Sequence, residues 1–370
     1  MESYSYTPKP YCLLAVERKL IHRISILVLL ILASSFCGTD LLAQGKASRI
    51  SLFDHLEENR VQTLELHTHL DSLLSYRQTY RYQPADLKFA FAGGEVLEES
   101  IQLRARGRFR NRFCEIPPLK IKLRKKKLKK RGLKPLNELK LVLPFGNSKR
   151  NVTWLYKEYL AYKLYEEITP YAFRAQLVEV VIKDNKGEKE DIRMQAFLVE
   201  DKEEVADRLD IEASDVNVQG RNLQRQGYQT FQFFQFMIGN TDWLPTTGHN
   251  MSFFTNATGE IIPVPYDFDF AGIVGTTYAC PNDRLPITSV KQRYFMGNYP
   301  SLGKLTTTID HFQSKEAELL QIIQGFERLS KGERNKMHKY LSSFFKLLSD
   351  RKKAEANFVH LMKGPRGHHY

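Results

Sequence analysis

Three carboxylates and one amide, Asp242, Asn250, Asp267 and Asp269, fall in a short stretch that reads Gly239-Asn-Thr-Asp242, His249-Asn250 and Pro265-Tyr-Asp-Phe-Asp269. Between the amide and the Asp267/Asp269 pair the sequence writes a hairpin: residues 251–255, a turn at Asn256-Ala-Thr-Gly259, and residues 260–264. In register, that ribbon sets Asn250 opposite roughly Pro265, so the amide and both carboxylates reach the same end. Hard oxygen donors of this kind suit Mg²⁺, Mn²⁺ or Ca²⁺ and not zinc. Asp242 precedes the hairpin on a loop, where a carboxylate beside a bound cation can accept a proton from an attacking hydroxyl. Phosphoryl transfer needs that set, together with positive charge over the phosphates. Asp-Phe-Asp alone is a weak signal, and Asp242 alone reads equally as a cap on Asn240-Thr241. The order of the residues and the hairpin that joins them carry the inference.

Positive charge lies upstream. Ile101, Leu103, Ala105, Gly107 and Phe109 alternate with Gln102, Arg104, Arg106, Arg108 and Arg110, the two-residue period of a strand. After Pro117-Pro118 the alternation returns, with Leu119, Ile121 and Leu123 against Lys120, Lys122 and Arg124. Like charges on paired strands repel, so a bound anion would relieve a cost at this face. The run of residues 124–131 reads as an exposed turn. The net charge of +13 favours an anionic partner such as phosphate, nucleotide, acidic glycan or anionic lipid. Nucleic acid is disfavoured, because the basic strands lack the regular aromatic interleaving of a stacking surface.

The elements that must position these groups follow from periodicity. Residues 52–76 read as a helix, residues 153–168 as a second with a wide apolar face, and residues 224–238 as an aromatic-rich, buried third. Residues 176–183 and 192–199 read as strands joined by a turn at residues 184–187. Beyond residue 300 the spacing is helical. The expected class is α+β, strand-rich first and helix-rich second, without internal repeats.

At the start, Lys9, Arg18, Lys19 and Arg23 precede an apolar run over residues 24–33, with a plausible cleavage point after Ala43. The run is too short to span a bilayer comfortably. The chain is therefore expected to be exported, to periplasm, cell envelope or medium, with membrane contact only through an uncleaved leader. That leader holds four basic and three acidic residues, so the rest of the chain keeps +12. Cys12 and Cys37 fall in it, which leaves Cys114 and Cys280 as a pair that an oxidising compartment would let bond if they meet.

In order and over much of the chain, these motifs resemble the spore-coat-protein-H-type (CotH) kinase family, which has an atypical protein-kinase-like fold. Arg106-Gly-Arg-Phe-Arg-Asn-Arg-Phe113 with Leu119-Lys-Ile-Lys-Leu123 is similar to a strand pair of that family, and residues 155–168 to the helix after it. Ala196-Phe-Leu-Val-Glu-Asp201 is similar to a later strand, and the Gly239–Asp242, His249-Asn250 and Pro265–Asp269 motifs to its core. The residues themselves mark a signal peptide over 1–43 and an N-terminal helical segment over 44–84, and the resemblance implies a strand-rich lobe over 85–200 and a helical lobe with the catalytic hairpin over 201–370. It implies Asp242 as the catalytic residue, Asn250 and Asp267 as metal ligands with Asp269 nearby, and Mg²⁺ or Mn²⁺ as the ion. Arg104, Arg106, Lys120, Lys122 and Glu200 are then expected around ATP or another nucleotide. This chain departs from the pattern at Pro117-Pro118, at Trp243 and in having no glycine-rich loop before the strands. The implied activity is phosphate transfer from a nucleotide to a protein or envelope component. A non-catalytic envelope protein is favoured by the scarcity of ATP outside the cytosol. A metal-dependent phosphohydrolase would use the same carboxylates with water as the nucleophile.

Overall fold

In the computed structural model residues 49–214 and 222–359 are described, so the export leader expected over residues 1–43 lies outside the described residues. Ser51 opens the fold with a capping box, its hydroxyl taking Asp54 N at 3.0 Å while the Asp54 carboxylate takes Ser51 N at 3.2 Å. This sets helix α1 (Leu52–Glu58), followed by strand β1 (Val61–Thr68) and helix α2 (Leu70–Ser75). The single helix expected over residues 52–76 is corrected here. Leu64 and Leu66 are two apart and both buried, which is the period of a strand. The expected helical segment over residues 44–84 thus contains a strand of the sheet.

The chain continues through β2 (Gln83–Phe91), β3 (Val96–Ala105), α3 (Phe109–Phe113), β4 (Leu119–Lys122), α4 (Lys125–Lys130), β5 (Glu138–Val142), α5 (Lys149–Ile168), β6 (Ala175–Asp184) and β7 (Ile192–Val199). Strand β1 pairs antiparallel with β2 and parallel with β6, so the order β1-β2-β3-β4-β5-β7-β6 closes into a barrel without a free edge. Strand β3 stops five residues short of the expected Arg110. Gly107, at φ +81°, turns the chain, and Phe109–Phe113 coils into a helix that carries Arg110 inward.

The second half holds α6 (Lys202–Leu209), β8 (Glu212–Ser214), α7 (Arg225–Ile238), β9 (Met251–Thr255), β10 (Ile261–Pro265), α8 (Thr306–Ser314), α9 (Glu316–Gln324), α10 (Lys331–Leu348) and α11 (Arg351–Phe358). Strands β8, β9 and β10 form a small antiparallel sheet. Helix α5 is buried around most of its circumference because it lies between the two halves. The Tyr162 ring meets Phe197 of the barrel at 5.6 Å and Phe268 at 4.7 Å, and Tyr165 meets Phe234 at 4.5 Å. The main core runs from this wall through the helical half, and a smaller cluster around Phe231, Trp243 and Phe253 is separate from it, so the fold is a mixed α+β unit in which a barrel and a helical half share a wall. Cys114 is buried, Cys280 is exposed, and both thiols are free. Among the described residues no helix is long and apolar enough to cross a membrane.

Glu200, at the end of β7, has no exposed surface. It accepts Arg174 N at 2.8 Å, Arg174 Nε at 2.6 Å, and Arg208 Nε and Nη2 at 3.1 and 3.0 Å. Arg174 reaches on to Asp54 at 2.6 Å, so this network ties α1, β6, β7 and α6 together. Glu200→Ala removes the buried carboxylate shared by both guanidiniums and is expected to cost about 3 kcal/mol in denaturant unfolding. A loss well under 1 kcal/mol would show that the network does not hold the barrel to α6.

Candidate functional site

Helix α7 ends at Gly239, whose φ of +67° and nearness to Tyr340 require glycine, since a Cβ there would lie 2.1 Å from the tyrosine hydroxyl. Asn240, buried, accepts Asp242 N on its side-chain oxygen at 3.0 Å and donates to Gln235 Oε1 at 3.0 Å. Asn240 therefore caps Asp242, the reverse of the cap on Asn240-Thr241 considered from sequence. Trp243 is buried, its ring edge-on to Phe231 at 4.9 Å and its Nε1 donating to Asn240 O at 3.2 Å. Trp243, a point where the chain departs from the pattern it resembles, thus anchors the loop, and Asp242 is fixed on both sides.

The hairpin forms one residue away from the expected register, with Met251 opposite Pro265 and Tyr266 N donating to Asn250 O at 3.1 Å. Asn250, in left-handed backbone at φ +54°, donates its amide to Asp242 O and to Asp242 Oδ2, both at 2.8 Å. That leaves its amide oxygen for a cation. His249 Nε2 lies 3.0 Å from Asp242 Oδ1, and this hydrogen bond raises the histidine pKa.

Beyond the hairpin, Gly272 N donates to Gly239 O and Ile273 N to Ile238 O, both at 3.0 Å, so the Asp267/Asp269 loop is stitched to the corner that carries Asp242. Asp267, also left-handed at φ +65°, donates its backbone N to the Tyr162 hydroxyl of α5 at 2.9 Å. Its side chain remains 45% exposed. The hydration its inner face loses at the cleft floor, aided by Asp269 and opposed by Arg110 and Arg106, pushes its carboxyl up to about 6. Asp269 is buried, and its Oδ2 accepts Arg110 Nε at 2.9 Å and the Tyr278 hydroxyl at 3.0 Å. Arg110, itself buried, also binds Glu158 of α5 and lies 3.9 Å from Asp267 Oδ1. Burial opposes the charge on Arg110, but Asp269 and Glu158 hold it protonated. Burial alone would push Glu158 up, and the Arg110 guanidinium against it holds it toward the ionised form.

Asp242, Asn250, Asp267 and Asp269 line one cleft of about 1280 Å³ with Arg104 and Arg106. Ligand pockets run to roughly 1,000 Å³, so a ligand and a second reactant fit. Arg104 is stacked on Tyr82 at 5.1 Å. Lys120, Lys122 and Glu200 are not brought to the cleft. Arg104 and Lys120 lie side by side across β3 and β4, the stack of like charge expected from sequence, and Lys140 of β5 extends it. Acidic neighbours relieve it where a bound anion was expected: Lys120 pairs with Glu138 and with Asp201 at 3.7 Å, and Lys122 pairs with Glu138 at 3.3 Å. Lys140, four-fifths buried, pairs with Asp201 at 3.4 Å, and burial lowers its pKa to about 8.

The sequence reading missed the role of Arg110, which looked like one more rung of an alternating strand. It also gave no role to His249, although its place beside Asn250 was visible. Arg108 and Arg284 also line the cleft. No protein-family model and no curated protein sequence matches this chain.

Arg110→Met leaves two buried carboxylates unpaired and is expected to cost about 3–5 kcal/mol in urea unfolding, with a larger loss at pH 8 than at pH 5. Asp267 has a folded-state pKa of about 6 against an ordinary value near 3.9, so its ionisation opposes folding as pH rises between those values. Without divalent ions, Asp267→Asn is therefore expected to melt higher than wild type at pH 7, the advantage shrinking toward pH 4. A difference in Tm that does not change with pH would remove the charge as its cause.

Proposed function

We propose that this chain is an exported, kinase-like phosphotransferase of the spore-coat-protein-H type. It moves a phosphoryl group from ATP or another nucleotide to a hydroxyl of a protein or envelope component, with Mg²⁺ or Mn²⁺. The observation that carries this reading is the meeting of Asp242, Asn250 and Asp267 with Arg104 and Arg106 in one cleft.

The Asp242 carboxylate is held by His249 and Asn250 yet stays 37% exposed. Each carboxylate oxygen has a second lone pair, so Asp242 can take the proton of an acceptor hydroxyl while remaining anchored. Arg106, Arg108 and Arg284 face the cleft with no carboxylate in ion-pair range among the described residues, which suits them to phosphate oxygens. The Asn250 amide oxygen and the Asp267 carboxylate fit a hard cation. Among the described residues no three His, Cys, Asp or Glu side chains converge as a metal cage. A cation at Asp267 and Asn250 would thus complete its shell with water and phosphate oxygens, as Mg²⁺ ordinarily does. When bound, it would neutralise phosphate charge.

A second reading, a non-catalytic envelope protein that keeps the fold, is favoured by the pairing of Lys120 with Glu138 and Asp201, away from the cleft.

Purified protein with Mn²⁺ and γ-labelled ATP separates the readings. The proposal expects label on the protein or an added acceptor, lost in Asp242→Ala and in Asp267→Ala while both variants unfold cooperatively. Label released only as free phosphate would make the chain a phosphohydrolase. No transfer and no nucleotide-dependent rise in Tm would leave the non-catalytic reading.

A further inference from the structure

The connection from β4 to β5 reads Arg124-Lys-Lys-Lys-Leu-Lys-Lys-Arg131 and contains α4. Its basic residues are all exposed, while Leu128 is fully buried. Arg131 bonds Glu99 Oε1 at 2.7 Å and Glu98 O at 3.0 Å, so the segment is pinned to β3 at one point and seated by Leu128 at another. Lys125, Lys126, Lys127, Lys129 and Lys130 have no carboxylate within ion-pair distance among the described residues. Lys125 and Lys129, and likewise Lys126 and Lys130, are four apart on one helix, a spacing at which like charges destabilise. No acidic residue in the first turn offsets this. The fold therefore holds a rigid, repelling cationic face that a dense anionic surface would relieve.

Its position selects the surface. Strand β4 runs away from the cleft, starting beside the cleft-lining Pro118 and ending at Lys122, so α4 lies at the far end. Four residues past Lys130, Lys134 pairs with Asp207 at 2.6 Å. Asp207 adjoins Arg208 of α6, whose partner Glu200 also holds Arg174, and Arg174 reaches Asp54, three residues past Ser51. Ser51 is where the chain joins the barrel, 18 residues after the apolar run of residues 24–33. The cationic face and Ser51, at the start of α1, thus share one end of the barrel.

We propose that α4 is a docking surface for a membrane bearing anionic lipid headgroups, which would hold the barrel at the bilayer with the cleft facing away. This does not depend on the activity proposed for the cleft. Each lysine at such a surface strengthens binding roughly fivefold at low salt, and screening removes the gain.

The full chain is tested by co-sedimentation with vesicles of phosphatidylcholine alone and of phosphatidylcholine with phosphatidylglycerol. The comparison is a quadruple variant, Lys125→Gln, Lys126→Gln, Lys129→Gln and Lys130→Gln. The expected result is at least tenfold weaker binding of the variant to anionic vesicles, equal binding to neutral ones, an unchanged Tm, and the same loss for wild type in high salt. If the variant does not fold, Lys126→Glu with the salt titration gives the same reading. Equal binding of wild type to both vesicles, or of variant and wild type to anionic ones, overturns the proposal. So does tighter, lysine-dependent binding to a DNA duplex than to vesicles, which would make nucleic acid the partner.

Discussion

A guanidinium removed from water needs opposite charge within reach, and Arg110 finds it in Asp269 on one side and Glu158 on the other. The three residues come from α3, from α5 and from the loop after the hairpin, so one buried ion cluster joins the barrel, the shared wall and the cleft floor. Each carboxylate alone would be driven toward its neutral form, and Arg110 alone would be an uncompensated charge. Together they fix the loop on which Asp267 sits two residues from Asp269. A division follows between neighbouring acids: Asp269 is committed to the cluster, whereas Asp267 stays half open to the cleft.

Backbone hydrogen bonds carry that order to Asp242. The bonds from Gly272 to Gly239 and from Ile273 to Ile238 make the Asp267 loop and the Asp242 loop a single corner built on the end of α7. Tyr162 completes it from α5, meeting Phe268 with its ring and the Asp267 amide with its hydroxyl. A site assembled this way has little freedom to slide, because it is tied to α5 and to the end of α7, both packed in the main core.

What could be read from the sequence was local. The hairpin, the carboxylates at its base and the Asn250 amide followed from alternation and turn residues, because a two-stranded ribbon fixes its neighbours without tertiary information. Strand β1 was lost to a helical reading because Leu64 and Leu66 run on into the genuinely helical Leu70 and Leu73. Arg110 was misplaced because a five-residue helix after Gly107 leaves no periodic trace. Lys120 and Lys122 looked like an anion site because Glu138 and Asp201, which neutralise them, arrive from β5 and from the end of β7. Glu200 was seen in its strand, but its partners Arg174 and Arg208 are set by tertiary contacts. Closure of the barrel between β1 and β6 is equally invisible to any window of sequence.

Asn250 and Asp267 share a backbone property that bears on how this site can drift. Both have positive φ, a region that asparagine, aspartate and glycine enter far more readily than β-branched or long side chains. Mutational paths at these two positions are thus narrowed by conformation before chemistry acts on them. A descendant in which this cleft did no chemistry would still be steered toward the same residue types here. The informative position in such a lineage would be Asp242, which is not among the positive-φ residues and whose replacement the main chain would tolerate.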